Sequence, residues 1–158
     1  MAVLTEEEFA EQIRSYMVNM YRLSFAILNS TQDAEDAVGE AVLRAFENRN
    51  ALKKKDAFKA WIMQITANEA KKIYRKNKRT YATEWEEQFS PAFYDDYHEL
   101  WDAVMQLDNE FRDVIVLFYY EQFSIKDISK IMKCKEGTVK SRIFRAKNQL
   151  RELLTESL

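Results

Sequence analysis

The spacing of apolar residues predicts helices in both halves of the chain. In the first half, apolar side chains recur every three or four positions, which is the period of an amphipathic α-helix. One such stripe begins at Phe9 and ends at Ile27. Polar stretches interrupt the pattern and mark the helix ends. We therefore predict helices over about 5–28, 32–47 and 56–79, with a polar loop at 48–55.

Particular residues suggest how these helices begin and which way they face. Ser30 or Thr31 is expected to cap the second helix, and Asp56 the third. Short polar side chains suit these positions because they accept hydrogen bonds from unpaired backbone N–H groups. By the same periodicity we expect Met17 and Phe46 to point into the core.

The sequence pattern of the second half predicts four helices, and the last two of them are expected to form a helix-turn-helix. Ser124 is expected to cap the third of them, with the acid Asp127 three residues on. A tight break at Lys133 and Cys134 then leads into the longest helix of this half, which is the layout of a DNA-reading motif. The predicted ranges are about 97–106, 109–121, 124–132 and 135–154.

The composition turns these elements into a prediction of fold class. The 158 residues include two Gly and one Pro, too few for the many turns of a sheet protein. The Pro lies in an acidic and aromatic stretch that we interpret as a linker. We predict an all-α protein with two small helical domains, residues 1–79 and 97–158, joined by a linker at 80–96. The second is a four-helix domain with the helix-turn-helix.

Three features predict a cytoplasmic protein. The single cysteine, Cys134, fits a reducing compartment. No apolar run approaches the roughly 20 residues of a membrane span. The acidic N-terminus lacks the basic start and apolar stretch of a signal peptide.

Charged residues separate by sign along the chain, although the formal net charge is only −2. Residues 53–79 hold ten Lys or Arg against two acids, and residues 126–151 hold nine against two. Residues 80–102 hold seven acids and no Lys or Arg. The two basic blocks indicate two phosphate-facing surfaces, with solvated helix faces as the alternative.

The polar face of the last helix holds candidates for DNA contact. Arg145 is the first candidate for a base, because a guanidinium bonds guanine bidentately in the major groove. Phe144 suits a thymine methyl group or a sugar, or else it fills a gap against the linker or a partner. Lys140 and Lys147 are expected to contact phosphates. Arg142 lies near the apolar edge, where it either reaches a phosphate or pairs with an acid of another helix.

The second half resembles a known family. Residues 124–146 include the run Gly137-Thr-Val-Lys-Ser-Arg142 followed by Arg145-Ala146. This segment closely resembles region 4.2 of extracytoplasmic-function (ECF) sigma factors.

The first half resembles the same family. Residues 21–46, with Asp33-Ala-Glu-Asp36 and Leu43-Arg-Ala-Phe46, are similar to regions 2.1 and 2.2. Residues 57–79 are similar to regions 2.3 and 2.4. Both halves occur in the order of the family, so the resemblance extends over nearly the whole chain.

The resemblance implies a sigma factor that binds core RNA polymerase and directs initiation by reading −10 and −35 promoter elements. The implied partners are the β′ clamp helices and β flap of the polymerase, promoter DNA and an anti-sigma factor. No cofactor or small-molecule substrate is implied, because catalysis belongs to the polymerase. In this chain Gly39 and Ala41 depart from the family pattern, which often has Gln and a larger residue there. The implied polymerase-binding residues are Asp36, Glu40, Leu43 and Arg44.

The resemblance also implies two DNA-binding sets. The −10 element is opened by the loop at 48–55 and the following helix, where a flipped base needs a small polar pocket and positive charge nearby. Phe58 and Trp61 could stack on bases, but they lie on the apolar stripe, where burial in the core is the more common role. The −10 residues are Asn68, Lys71, Lys72, Arg75 and Lys76. The −35 residues are Thr138, Lys140, Ser141, Arg142, Phe144 and Arg145.

Three other classes of protein fit the sequence less well. A stand-alone helix-turn-helix regulator would bind duplex DNA without the polymerase, usually as a dimer, but no segment predicts a dimerising coiled coil. An enzyme would need a phosphate-binding Gly loop, metal-ligand spacing or a nucleophile with its base, and the chain has one His, His98, and one Cys. We therefore predict no catalytic residue and no metal site. A helical adaptor would not need two basic blocks.

Overall fold

The computed structural model describes residues 2–81 and 98–156, with side chains over 2–77 and 99–155. Every regular element in these ranges is helical, which confirms the all-α prediction. The chain divides into two compact units, Met1–Trp85 and Glu86–Leu158. Of the predicted linker, residues 82–96 lie outside the described residues. The α-helices are α1 (Glu6–Leu28), α2 (Thr31–Glu47), α3 (Phe58–Tyr81), α4 (His98–Met105), α5 (Asn109–Ile115), α6 (Ile125–Met132) and α7 (Glu136–Glu156).

The first unit is built from α1, α2 and α3, each of which packs against the other two. α1 begins with a capping box: the Thr5 hydroxyl accepts the Glu8 N–H at 3.1 Å, and the Glu8 carboxylate accepts the Thr5 N–H at 3.0 Å. α2 is capped by Ser30, whose hydroxyl accepts the Asp33 N–H at 3.2 Å. Ser30, and not Thr31, is therefore the cap.

The segment between α2 and α3 differs from the predicted polar loop. It contains two short 3-10 helices, Arg49–Ala51 and Lys55–Ala57, and it buries Leu52 at 3% exposure. The predicted cap of the third helix is wrong, because Asp56 lies inside the second of these turns and α3 begins at Phe58. The loop is thus anchored to the core by an apolar side chain.

Fewer apolar side chains are buried in the core of the first unit than the apolar periodicity predicts. Phe9, Met20 and Phe58 are buried as expected. Met17 is 39% exposed and Phe46 is 42% exposed, so the predictions that they point inward are wrong. Both lie at the edge of the apolar stripe of their helix. Because successive residues are about 100° apart around an α-helix, a side chain at the edge of the stripe can face solvent.

The second unit is organised around α7, which packs against α4, α5 and α6. The guanidinium of Arg112 is buried and donates to the carbonyl oxygens of Met105 at 3.3 Å and Leu107 at 3.4 Å. It thereby satisfies carbonyls at the end of α4 that the helix itself leaves free. The helix predicted over 109–121 changes period, because a π-turn at Val116–Tyr120 continues α5.

The last two helices form the predicted helix-turn-helix. The Ser124 hydroxyl accepts the Asp127 N–H at 3.0 Å and begins α6. α6 ends at Met132, and the next residue, Lys133, has a left-handed backbone with φ 55° and ψ 50°, so the chain turns sharply before α7. Among the described residues, no helix has the length and apolar character needed to cross a membrane.

Candidate nucleic-acid and protein interfaces

The outer face of α2 holds most of the predicted polymerase-binding residues. Asp36, Glu40 and Leu43 are all exposed, and their spacing of three and four residues puts them on one side of the helix. Leu43 is 58% exposed, and among the described residues Phe144 alone is a more exposed large apolar side chain. Gly39 lies on the same side, and a Cβ built there would meet nothing within 4 Å. An apolar spot bordered by acids suits a partner with apolar and basic residues.

Phe46 extends this apolar spot, although the sequence predicted it to be buried. Its ring meets Phe9 edge-on, with 5.7 Å between ring centroids. The guanidinium of Arg49 lies 3.7 Å from the centroid of the Phe46 ring, a cation–π contact. These two contacts hold the exposed ring in place, so a partner that covers it would lose little side-chain entropy on binding.

A groove between α2 and α3 brings the loop and the third helix together. Its volume is about 370 Å³. Asn68, predicted for the −10 element, and Asn48 both line it. Arg44, predicted to bind the polymerase, also lines this groove and so lies apart from the outward-facing Leu43. The complete lining is Arg44, Asn48, Ala51, Trp61, Gln64, Ile65, Asn68 and Glu69. We call this the α2–α3 groove.

The two aromatic residues at the start of α3 have different positions. Phe58 is 1% exposed and packs against Phe9 and Tyr16, as a core residue does. Trp61 is only half-buried and forms one wall of the α2–α3 groove. The prediction of core burial is therefore confirmed for Phe58 and wrong for Trp61.

The predicted basic residues continue from the groove along α3. Lys72, Arg75 and Lys76 are exposed, and Lys71 is half-buried. The helical period puts Lys72 and Arg75 on the same face as Asn68. Lys72 also forms an ion pair in which its Nζ lies 3.1 Å from Oε2 of Glu69. Of the predicted set, Lys72 and Arg75 thus share a helix face with Asn68.

The loop before α3 is held to the start of α1 by an ion pair. Nζ of Lys55 lies 2.9 Å from Oε2 of Glu8. Hydrogen bonds from the Thr5 backbone N–H, then from Lys55 and the Thr5 hydroxyl, lower the pKa of Glu8 from 4.5 to about 2. Glu8 therefore remains charged at any physiological pH and keeps Lys55 against α1.

In the second unit, α7 presents the predicted reading surface. Val139, Ile143 and Ala146 are buried, whereas Phe144 on the opposite side is 67% exposed. Arg145 is exposed beside it. Lys140 and Ser141 are exposed on the same outward side, and Thr138 is half-buried.

The surroundings of Arg142 favour one of the two roles left open for it. Its Nη2 lies 3.9 Å from Oε2 of Glu110, an acid of α5 that the sequence did not single out. Thr138 and Arg145 lie with this pair around a second groove of about 380 Å³ between α5 and α7. The remaining lining residues are Phe111, Gly137 and Ser141. Arg142 thus pairs with an acid in the free protein.

A further aromatic residue lies beside α7. Tyr119 is 47% exposed and meets Phe118 edge-on, with ring centroids 4.9 Å apart. Nζ of Lys147 lies 5.6 Å from the Tyr119 ring centroid. Lys147, predicted to contact phosphate, therefore has an aromatic neighbour that the sequence pattern did not reveal.

The sequence matches two parts of one known family. Residues 12–80 match the family model for sigma-70 region 2, and residues 97–150 match that for sigma-70 region 4. With the all-helical fold and helix-turn-helix, these matches define the class: the chain belongs to the sigma-70 family of RNA polymerase sigma factors. Sigma factors bind core RNA polymerase and promoter DNA and direct promoter-specific initiation.

Individual relatives confirm the resemblance to the ECF group. The ECF RNA polymerase sigma factor SigW of Bacillus subtilis is 27% identical over 170 residues, covering 96% of this chain and 91% of SigW. RNA polymerase sigma factor SigV of the same organism is 27% identical over 148 residues, covering 91% and 89% of the two chains.

Solved structures agree on the fold. The sigma factor RpoE in complex with the anti-sigma factor NepR, from Bartonella quintana, matches with a TM-score of 0.79 at 24% identity. That match covers 94% of this chain and 98% of RpoE. CnrH in complex with the cytosolic domain of CnrY matches with a TM-score of 0.70 at 19% identity, covering 98% of this chain and 92% of CnrH.

Proposed function

We propose that residues 1–79 dock on core RNA polymerase and open the −10 element, and that residues 97–158 read the −35 element. Residues 80–96 would connect the two domains. The observation on which this division of labour rests is the α2–α3 groove. Polar Asn48 and Asn68, an aromatic wall from Trp61 and a basic extension along α3 meet there.

The α2–α3 groove suits one base of the opened −10 element. Enzymes and factors that hold a flipped base combine hydrogen bonds to its Watson–Crick edge with stacking on an aromatic side chain. Asn68 offers both a donor and an acceptor, and Trp61 offers a ring. Arg75 and Lys76, both exposed, would attract the phosphates of the separated strand. The site therefore has each part that single-strand capture requires.

The outer face of α2 suits a protein partner better than DNA. Asp36 and Glu40 would repel phosphates, whereas Leu43 and the fixed ring of Phe46 offer apolar anchors. We propose that this face binds the β′ clamp helices. Arg44 would act from the groove side instead. The second unit would meet the β flap.

The exposed face of α7 suits the major groove of the −35 element. Arg145 would specify a guanine, and Phe144 would contact a thymine methyl group or a sugar. Lys140 would contact a phosphate, with Thr138 and Ser141 as shorter polar contacts. Arg142 would exchange Glu110 for a phosphate only at the cost of its ion pair. That pair is partly exposed, so the cost is small.

An anti-sigma factor would regulate these surfaces. One structurally similar sigma factor, RpoE, was solved with the anti-sigma factor NepR, and the structurally similar CnrH was solved with the cytosolic domain of CnrY. A regulator that covers Leu43 and Phe46 would compete with the polymerase for the same apolar anchors. The chain would have no catalytic activity of its own. It would act in the cytoplasm, where the polymerase works.

Two alanine variants test whether the first domain opens the −10 element and the second reads the −35 element. Each variant is assayed as holoenzyme on the same promoter. Asn68→Ala is expected to leave closed-complex formation intact and to reduce permanganate reactivity of the −10 strand, which reports opening. Arg145→Ala is expected to weaken closed-complex formation on promoters with an intact −35 element and to change little when that element is scrambled. Both variants should bind core polymerase like the wild type. The proposal fails if the two defects are interchanged, or if neither variant has one.

A further inference from the structure

An exposed aromatic ring lies on a fixed turn of the second unit. Tyr119 is 47% exposed and belongs to the π-turn that continues α5. Short π-turns within helices are frequent at functional sites. This one is anchored, because the Phe123 N–H donates to the carbonyl oxygen of Leu117 at 3.0 Å and Leu117 is fully buried. The backbone that carries the Tyr119 ring therefore has a defined position.

The Tyr119 ring contacts a lysine of α7. Nζ of Lys147 lies over the ring at 5.6 Å from its centroid, within the roughly 6 Å over which a ring face attracts a cation. The ring is itself held by Phe118, which it meets at 90° with 4.9 Å between ring centroids. In the part of the chain that the structure describes, Lys147 forms no ion pair with an acid. The ring is thus its defined neighbour.

A cation–π contact leaves the hydrogen-bonding capacity of Lys147 free for a ligand. The ring attracts the positive charge, and the three N–H donors of the ammonium group stay available. By contrast, Arg142 must release Glu110 before it can use the same guanidinium nitrogen for a phosphate. Lys147 can bind a phosphate while its side chain remains against the ring. A side chain that is restricted before binding loses less entropy on binding.

The position of Lys147 on α7 favours the DNA backbone as its ligand. Lys147 follows Lys140 by seven residues, so the two lie within about 20° of each other around the helix and about 10 Å apart along it. Phe144 lies between them in sequence and is 67% exposed. Lys140 and Phe144 belong to the surface proposed for the −35 element. A helix in the major groove has a phosphate backbone on each side, so a cation in line with Lys140 is placed for one of them.

We propose that Tyr119 is a positioning residue that holds Lys147 ready for a phosphate of the −35 DNA. This inference rests on the proposed −35 function of α7. Tyr119 acts through Lys147, and its hydroxyl is not required, since a cation–π contact uses the ring face. The pair raises affinity for different −35 sequences alike, because a phosphate contact positions a protein without reading bases.

The experiment measures holoenzyme binding to a fluorescent −35 duplex over a series of salt concentrations. Lys147→Ala should lower the affinity and make the slope of log affinity against log salt concentration shallower by about 0.9, the value for one phosphate contact in duplex DNA. Tyr119→Leu should lower the affinity roughly two- to fivefold, which corresponds to an exposed cation–π contact. Tyr119→Phe keeps the ring and should bind like the wild type.

Double variants separate this role from a general effect on folding. Tyr119→Leu should cause no further loss of affinity in the Lys147→Ala background, because the group that the ring positions is gone. Tyr119→Leu should keep its full effect in the Lys140→Ala background, which is the matched control. A ring that only supports the packing of the second unit would lower the affinity by the same factor in every background.

Four results would overturn the inference. Wild-type affinity in Tyr119→Leu, or an equal loss with and without Lys147, would mean that the ring does not position the lysine. A loss in Tyr119→Phe would mean that the hydroxyl contacts DNA directly. A loss of core polymerase binding in Tyr119→Leu would mean that the ring contacts a protein instead. If wild-type holoenzyme binds the −35 duplex no better than a scrambled duplex, the proposed −35 function itself is refuted.

Discussion

Substitution of Phe144 tests whether the exposed ring on α7 contacts DNA. If the ring contacts DNA, Phe144→Ala should weaken −35 binding and leave folding almost unchanged. If the ring is a packing element of the free protein, the same variant should lose stability. The two possibilities were both open from the sequence, and 67% exposure favours the first.

The expected magnitudes follow from the exposed and buried parts of the ring. A fully buried Phe removes about 150–250 Å² from water. About one third of that area is buried here, which at roughly 25 cal/mol per Å² gives about 1–2 kcal/mol as an upper estimate. Alanine recovers up to about 0.7 kcal/mol through its higher helix propensity. The free energy of unfolding should therefore fall by about 1 kcal/mol or less.

Phe144→Ala should lower the free energy of −35 binding by more than it lowers the free energy of unfolding. About two thirds of the ring is free, and contact on one side would cover about half of that. The corresponding free energy is about 1–2 kcal/mol, or roughly a 5- to 30-fold loss of affinity. Holoenzyme binding to a fluorescent −35 duplex would measure it, with urea unfolding on the same samples. Met17→Ala is the control, because that apolar side chain is 39% exposed in the other unit and belongs to neither proposed interface.

Two results would refute this account of Phe144. One is unchanged affinity for the −35 duplex together with a stability loss of several kcal/mol, which would make the ring a structural element. The other is an equal loss of −35 affinity in Met17→Ala, which would mean that exposed apolar side chains contribute to DNA binding nonspecifically.

Three further predictions concern stability and pH. Ile128 of α6 is fully buried, so Ile128→Ala should destabilise the second unit by about 2–5 kcal/mol in urea unfolding, and a loss below 1 kcal/mol would contradict the described packing. Gly39→Ala should raise the free energy of unfolding by about 0.5–1 kcal/mol in a thermal melt, because a Cβ there meets nothing within 4 Å; destabilisation would contradict this. Glu8 has a folded-state pKa of about 2 against 4.5 for the free group, so its stabilising contribution is present above pH 4.5 and is lost as the pH falls toward 2. In unfolding series from pH 6 to pH 2, wild type should therefore lose stability relative to Glu8→Gln, and parallel curves would show that the bonds to Thr5 and Lys55 contribute nothing.

The segments that form helices could be predicted from the sequence, because helix formation leaves a local periodicity in the apolar residues. Ser124 caps α6 as predicted, and Ser30, one of the two predicted candidates, caps α2, since a cap is decided by residues three apart. The capping box of Thr5 and Glu8 has an equally local signal, a Thr followed three residues later by Glu, and was missed. Asp56 failed as a cap because a 3-10 turn precedes α3 and takes its place.

Features that depend on tertiary packing could not be predicted from local sequence patterns. Periodicity gives the direction of an apolar stripe but not its width, so Phe46 was assigned to the core although its ring is half outside it. The pairing of Arg142 with Glu110 joins two helices, and no spacing along the chain predicts it. Arg44 and Asn68 were assigned to different partners, yet both line the α2–α3 groove. Only packing of α2 against α3 determines that.

The most direct test of the central claim is to mix the purified protein with sigma-free core RNA polymerase, measure complex formation, and then map transcripts from genomic DNA. We expect a complex and discrete start sites that share −10 and −35 sequences upstream. Tight binding to duplex DNA without any affinity for core polymerase would contradict the account and favour a stand-alone helix-turn-helix regulator.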